Sequence, residues 1–272
     1  MHRASLRRRL RLNERRNMNA ITPEQRTAAK VAGISGLVAM AIVVYANYAL
    51  LNPLIIPRDA IETARNIMAH QTQFRLALIG FLSYGVTAVV LLSALYVILK
   101  PVNHGLALVG ALFRLVFAML WLLATLNMLS ALRLLGSAPY LQHFEPDRLQ
   151  ALARLNLAAS FDNYYVGLPF FGLAATACAW LWYKSGYIPR ALAAFGVIAS
   201  AWCVLCAFVF LVFPNVEKPV NPYWFDSPMA LFELIVSVWL LFKGIRAPTG
   251  SEPNRIGSRS TSPVSPRLPM FL

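Results

Sequence analysis

Hydrophobic residues along this chain are gathered into long continuous runs, and most polar residues lie between the runs. A helix needs roughly 20 predominantly apolar residues to cross the hydrocarbon core of a membrane. Six runs are long enough, so the pattern predicts an all-α fold, a polytopic integral membrane helical bundle with six transmembrane helices. The predicted spans are residues 31–52, 75–99, 105–132, 163–183, 189–213 and 227–243.

The composition supports a membrane protein over a soluble one. Of the 272 residues, 58% are hydrophobic and 13% are charged, whereas roughly 25% of residues are charged in an ordinary soluble domain. This excess of apolar residues, with a mean hydropathy of +0.57, must face lipid, and the lipid bilayer is therefore the predicted partner. Three cysteines, all in apolar runs, exclude a secreted disulfide scaffold.

The distribution of charge predicts the orientation of the chain. With the N-terminus inside, the cytosolic side holds 17 basic residues (Lys and Arg) and three acidic ones. The outer side holds seven basic and seven acidic residues. Because basic residues are retained on the cytosolic side, both termini are predicted to be cytosolic, in the cytoplasmic membrane of a bacterium. The excess of Lys and Arg on the cytosolic side explains the isoelectric point of 10.3. Nucleic-acid binding is not needed to explain the basic charge, so no nucleic-acid partner is predicted.

The two ends of the chain differ from the six-helix transmembrane domain that we place at residues 30–246. Residues 1–29 form an Arg-rich cytosolic segment that is suited to contact anionic lipid headgroups. Residues 1–17 are absent from the native protein if synthesis starts at Met18. Residues 247–272 are rich in Ser, Pro and Arg without apolar periodicity, so they are predicted to be a disordered cytosolic tail.

Two outer connections each predict a short amphipathic helix. Asp59 is a candidate N-cap for a helix over residues 60–73, and residues 145–147 begin a second helix in the same way. The two helices would lie either on the outer membrane surface or over the bundle as a lid, and packing on the bundle is favoured because their polar faces hold little lysine. The apolar residues of the second helix are Leu149, Leu152, Leu155 and Leu157.

Small residues in the first span and a proline in the fourth predict local features of helix packing. Gly33, Gly36 and Ala39 form a stripe on one side of the first helix, which predicts close packing against another helix. Pro169 lies inside the fourth span and is expected to kink it or to free a backbone carbonyl.

Several short motifs, in their order along the chain, carry a resemblance to a known family. The chain resembles the uncharacterised prokaryotic membrane family called domain of unknown function 4386 over roughly residues 18–246. The resemblance implies a six-span bacterial membrane protein, and it supplies no activity, cofactor or catalytic residue. The motifs are Pro57-Arg58-Asp59-Ala60, Lys100-Pro101-Val102-Asn103, Phe113-Arg114-Leu115, Phe170-Phe171-Gly172, the segment from Tyr183 to Arg190, and Glu233 with Trp239-Leu240-Leu241-Phe242-Lys243-Gly244.

Two charged residues lie inside predicted membrane spans, where a charge in contact with lipid is energetically unfavourable. Arg114 is ten residues from the cytosolic start of the third span, and Glu233 is ten residues from the cytosolic end of the sixth. Each is therefore roughly 15 Å deep, near the middle of the membrane. Equal depth and opposite charge predict an intramembrane ion pair. The pair either fixes helix packing, or Glu233 titrates or binds a solute while Arg114 supplies the countercharge.

Polar residues near the outer ends of the spans form a second group of candidates. Asp162 and Asn163 open the fourth predicted span, and Arg75 opens the second. This outer-rim cluster would serve either as a helix cap and dipole partner or as the mouth of a pocket. Asn127, on the third span, is expected to make an interhelical hydrogen bond.

The remaining reactive side chains do not form a recognisable chemical site. Cys203 and Cys206 share a helix face, but Cys178 is their only further candidate ligand within a span, so inert buried thiols are the favoured interpretation. No histidine occupies a mid-span position suitable for haem, and no nucleotide-binding motif occurs. No metal, cofactor or catalytic residue is therefore predicted. The histidines are His2, His70, His104 and His143.

Two functional hypotheses follow. The first is a structural, accessory or sensing protein of the bacterial membrane, without a demonstrable enzyme site. The second is a small-solute or proton-coupled transporter centred on Arg114 and Glu233; the lack of a recognisable inverted repeat counts against it. The sequence leaves open the substrate, and it also leaves open a homo-oligomer or an unknown membrane partner protein.

Overall fold

The computed structural model describes residues 21–57, 59–213 and 223–246, and these residues form long helices without any β-strand. Six of the helices are long and apolar enough to cross a membrane. The prediction of a six-span helical bundle is therefore confirmed. The helices, renumbered here in chain order, are α1 (Pro23–Val44), α2 (Ala60–Ala69), α3 (Gln71–Leu99), α4 (His104–Leu134), α5 (Pro146–Ser185), α6 (Arg190–Val212) and α7 (Tyr223–Phe242).

Side-chain caps explain where several helices begin. The first helix starts at Pro23, ahead of its apolar run, because Thr22 and Gln25 form a reciprocal capping box. Asn103 accepts a hydrogen bond from the backbone of Leu106 and caps α4. Asp59 accepts one from the backbone of Glu62 at 2.9 Å, so the predicted N-cap of α2 is confirmed.

The six spanning helices form a ring in which chain neighbours are also neighbours in space. The helix α1 packs against α3, and each of α3, α4, α5 and α6 packs against the next spanning helix. The helix α7 then packs against α1 and closes the ring. Many large apolar side chains on these helices remain exposed in the isolated protein, including Ile79, Leu126 and Ile198, as expected for a surface that lipid covers. The chain is a multi-pass membrane protein.

The closing contact between α1 and α7 depends on glycine. A Cβ atom added to Gly33 would lie 2.8 Å from the backbone nitrogen of Leu241 and 2.8 Å from the carbonyl oxygen of Ser237. Gly36 faces the side chain of the same serine. The predicted small-residue stripe is therefore a close-packing surface, and its partner is the last helix of the chain.

The α1 helix changes geometry at its C-terminal end. It continues beyond Val44 as a π-helical segment, Tyr45–Leu51, and ends in a 3₁₀ turn, Asn52–Leu54. Widened turns of this kind are rare and occur often at functional sites.

The first predicted outer helix is shorter than expected and packs on the bundle. It ends at Ala69 rather than at residue 73, because His70 leaves the helical conformation before α3 begins at Gln71. Thr63 and Ile67 are buried, and the helix packs against α5. Of the two placements considered, packing over the bundle is therefore the one that the structure shows.

The second predicted outer helix is not a separate element. It begins at Pro146, as expected, but continues without a break into the fourth span as the 40-residue helix α5. At 1.5 Å per residue this helix is about 60 Å long, roughly twice the hydrocarbon thickness. The expected break is missing because residues 147–166 contain neither Gly nor Pro. The expectation that a separate helix begins near residue 163 was therefore wrong, and Pro169 lies within a helix that stays continuous.

Three predictions fall on residues outside the described part of the chain. They are the Arg-rich lipid-binding segment before Ile21, the start at Met18, and the disordered tail at residues 247–272. These remain predictions.

Candidate functional site

The structure brings Arg114 and Glu233 together inside the helix ring. The guanidinium Nη2 of Arg114 donates a hydrogen bond to Oε1 of Glu233 at 2.6 Å. The arginine side chain is 7% exposed and the glutamate side chain 20% exposed. Because α4 and α7 are not adjacent in the ring, this ion pair joins its opposite sides across the interior.

An aromatic ring provides a second contact for Arg114. The guanidinium carbon lies 4.9 Å from the centroid of the Phe171 ring on α5. In such a cation–π contact the face of the aromatic ring attracts the positive guanidinium group. Arg114 therefore links three helices: α4, which carries it, and α5 and α7, which supply its partners.

A cavity of about 330 Å³ lies beside the ion pair. Five of the described helices border it, and α6 contributes no lining residue. Its lining runs along α7 from Glu233 toward the N-terminal end and along α1 from Gly36 into the π-helical segment. The opposite half of the bundle is filled by a packed apolar cluster that includes Leu181, Trp182 and Leu240. The cavity therefore occupies one half of the membrane-spanning region.

Aromatic side chains form one wall of the cavity, with Trp121 at their centre. The indole ring contacts the rings of Phe81, Tyr84, Phe117 and Tyr164 at centroid distances of 5.6, 5.0, 6.0 and 5.6 Å. Trp121 is 9% exposed, and its Nε1–H is buried without a hydrogen-bond partner among the described residues. A buried donor without an acceptor is costly, and the described residues do not compensate this cost.

A second carboxylate lies on the cavity lining. The Tyr164 hydroxyl donates a hydrogen bond of 2.5 Å to Oδ2 of Asp226 on α7. Both residues line the cavity, as does Glu233, seven residues and about two turns further along α7. Sequence reasoning placed Asp226 outside the last span and missed this contact. The signal was the i, i+7 spacing, which places both carboxylates on one helix face.

Comparisons with known proteins agree with the sequence motifs. The family model for a domain of unknown function (DUF4386) matches residues 31–244. The chain belongs to the DUF4386 family. An uncharacterised protein of Archaeoglobus fulgidus is 26% identical over 168 residues, which cover 62% of this chain and 83% of that relative. No solved structure matches the chain.

The structure places the three outer-rim residues of this DUF4386 protein on two helices, α3 and α5. Asp162 lies within α5 rather than at its start and is exposed, so the predicted N-cap role is wrong. Arg75 is exposed in the first turns of α3, and no ion pair joins it to Asp162. Asn163 is half-buried on α5. The missing helix break explains the result for Asp162 and Asn163, because α5 begins at Pro146 and neither residue lies at a helix terminus.

Asn127 and the three cysteines are buried or half-buried on the spanning helices. Asn127 is half-buried on α4, and no interhelical hydrogen bond to another described residue involves its side chain. Cys178 and Cys203 are buried free thiols, and Cys206 is a half-buried one. Within residues 21–57, 59–213 and 223–246, no three His, Cys, Asp or Glu side chains are grouped to hold a metal ion.

Proposed function

We propose that this protein binds a small molecule in the cavity between its helices and acts as a sensing or accessory protein of the membrane. The observation that carries the proposal is the cavity itself, which has the Arg114–Glu233 ion pair and the Asp226 carboxylate on its lining. Ligand pockets typically measure about 300 to 1,000 Å³ and combine apolar walls with a few polar groups. A cavity of about 330 Å³ with this lining has both properties.

We also propose that the protein lies in the bacterial cytoplasmic membrane with both termini in the cytosol. The support is the excess of basic residues on the side that holds the termini. In this orientation the cavity occupies the outer half of the bundle, since its lining includes the C-terminal end of α1 and the N-terminal end of α7.

Filling the cavity should abolish binding of a neutral aromatic probe. Ala230 lines the cavity, and a phenylalanine side chain at this position would project into it. We expect 1-aminoanthracene to show enhanced fluorescence with the purified protein in non-ionic detergent, and Ala230→Phe to remove the saturable part of that signal. The matched control is Ala201→Phe, which adds the same ring to an exposed position on α6, a helix that does not border the cavity.

The two variants distinguish a binding site from adsorption to the detergent micelle. Equal loss of signal in both variants, or no saturable signal in the unmodified protein, would contradict the proposal. Circular dichroism of each variant checks that the helical bundle is intact.

A transporter is the second candidate, and irregular helices favour it. The π-helical segment of α1 lines the cavity through Asn47 and Tyr48. Pro169 lies within α5 and Pro228 within α7, two further helices that border the cavity. Non-ideal helices next to a site near the bilayer midplane are typical of carriers.

A flux measurement tests this second candidate. In vesicles that contain the protein and an internal pH-sensitive dye, a proton-coupled carrier should dissipate an imposed pH gradient faster than protein-free vesicles. Glu233→Gln should remove this difference, whereas Glu62→Gln, on the exposed face of α2, should preserve it. A leak that is the same in all three proteins would reject transport through the ion pair and leave the binding proposal standing.

A further inference from the structure

We propose that the ligand of the cavity is a lipophilic organic cation that is held between Asp226 and the aromatic wall. This inference rests on the proposed function and names the chemical class that the same cavity would accept.

The charges on the lining favour a cation. Among the described lining residues, the side chains that carry formal charge are Arg114, Asp226 and Glu233. Arg114 and Glu233 neutralise each other through their 2.6 Å contact. Asp226 receives a hydrogen bond from the neutral Tyr164 hydroxyl, and no described cation lies within ion-pair distance of it. With all three groups ionised, the cavity therefore carries one negative charge that a bound cation would compensate.

The aromatic wall favours a cation that is also apolar. Tyr164 joins the two features, because its hydroxyl binds Asp226 while its ring packs against Trp121. Trp121 in turn packs against Tyr84 and Phe81, which also line the cavity. Aromatic faces attract cations, most strongly where water is excluded, and aromatic cages are the usual receptors for alkylated ammonium groups.

The same lining disfavours other occupants. A metal ion would need several oxygen, nitrogen or sulfur ligands, and the described residues hold no group of three acidic, His or Cys side chains. An anion would meet Asp226 without compensation, and the only positive charge on the described lining is already paired with Glu233. A hydrophobic cation is the class that satisfies both the charge and the aromatic wall.

Two ions of matched size and opposite charge test this inference. Tetraphenylphosphonium and tetraphenylborate have the same four-phenyl shape, and their binding to the full-length protein in non-ionic detergent can be measured by equilibrium dialysis against protein-free micelles. We expect saturable binding of the phosphonium ion, with an affinity at least about tenfold above that of the borate ion. Asp226→Asn should weaken phosphonium binding by at least about tenfold, while the asparagine carbonyl still accepts the Tyr164 hydrogen bond. Asp162→Asn, which removes an exposed carboxylate on α5 outside the cavity lining, should leave the affinity unchanged.

The neutral probe 1-aminoanthracene separates failure of this inference from failure of the proposed function. If borate binds as tightly as phosphonium, or if Asp226→Asn keeps full phosphonium affinity, the cation site is rejected while binding of the neutral probe still supports a cavity ligand. If none of the three probes binds saturably, both proposals are rejected. Retention of neutral-probe binding by Asp226→Asn confirms that this variant is folded.

Discussion

Replacing Glu233 with glutamine should lower the free energy of unfolding by about 3 to 5 kcal/mol, the usual cost of removing one member of a buried ion pair. The substitution leaves the 7%-exposed Arg114 guanidinium without its carboxylate, and among the described residues the Phe171 ring is then its remaining charge-compensating contact. Reversible unfolding in mixtures of non-ionic detergent and dodecyl sulfate, followed by circular dichroism, measures the change.

The reciprocal variant should be less damaging. In Arg114→Gln the remaining charge is on Glu233, whose side chain is 20% exposed against 7% for Arg114, so the unpaired charge is less completely buried. The double variant Arg114→Gln/Glu233→Gln should recover most of the stability, because two facing amides can hydrogen-bond without a buried charge.

An exposed pair on the same protein supplies the control. Arg65 and Glu62 on α2 are 2.7 Å apart, but their side chains are 74% and 34% exposed. Arg65→Gln should change stability by no more than about 1 kcal/mol, as is typical of surface ion pairs. An effect of Glu233→Gln as small as that of Arg65→Gln, or a double variant that loses the sum of both single losses, would show that the intramembrane pair does not hold α4 to α7.

Gly33→Ala should destabilise the protein by about 1 to 3 kcal/mol, the range for forcing extra atoms into a packed core. The added Cβ would meet backbone atoms of Leu241 and Ser237 at 2.8 Å. Backbone cannot rotate away as a side chain can, so α1 and α7 must separate and the ring must open at its closing contact. Unfolding under the same conditions provides the measurement.

The same substitution at Gly105 separates a packing effect from helix propensity. Gly105 is exposed near the start of α4, and a Cβ there meets only the Asn103 side chain at 3.6 Å. Alanine is the better helix former by roughly 1 kcal/mol within a helix, so Gly105→Ala should be neutral or stabilising. If both substitutions stabilise the protein, the close approach of α1 to α7 does not limit stability.

The spans were predictable because length and hydropathy report directly on membrane crossing. The absence of a helix break between residues 157 and 163 was not predictable. A helix that extends out of the membrane no longer needs an excess of apolar residues, but it does not have to end there. Hydropathy marks where α5 leaves lipid, whereas only a breaker or a cap marks where a helix ends. The error placed Asp162 at the start of a helix and gave it an N-cap role that the continuous helix α5 does not allow.

The ion pair was predictable for a different reason. Arg114 and Glu233 have matching depths and opposite charges, and each is the formally charged residue well inside its own span. The contact between Tyr164 and Asp226 could not be identified in the same way. The chain has ten tyrosines, and sequence alone does not give the rotation of each helix about its axis. The cavity depends on these rotations in five helices at once, so it could be recognised only in three dimensions.

The separation of the ion pair along the chain has a consequence for biosynthesis. Glu233 follows Arg114 by 119 residues, and a ribosome that adds 5 to 20 residues per second needs on the order of 10 s to make that stretch. During this interval the nascent chain holds an arginine without its carboxylate. A molecule that stops short of α7 keeps this unpaired cation, so truncated products differ from finished ones by a net charge within the bilayer as well as by a missing helix.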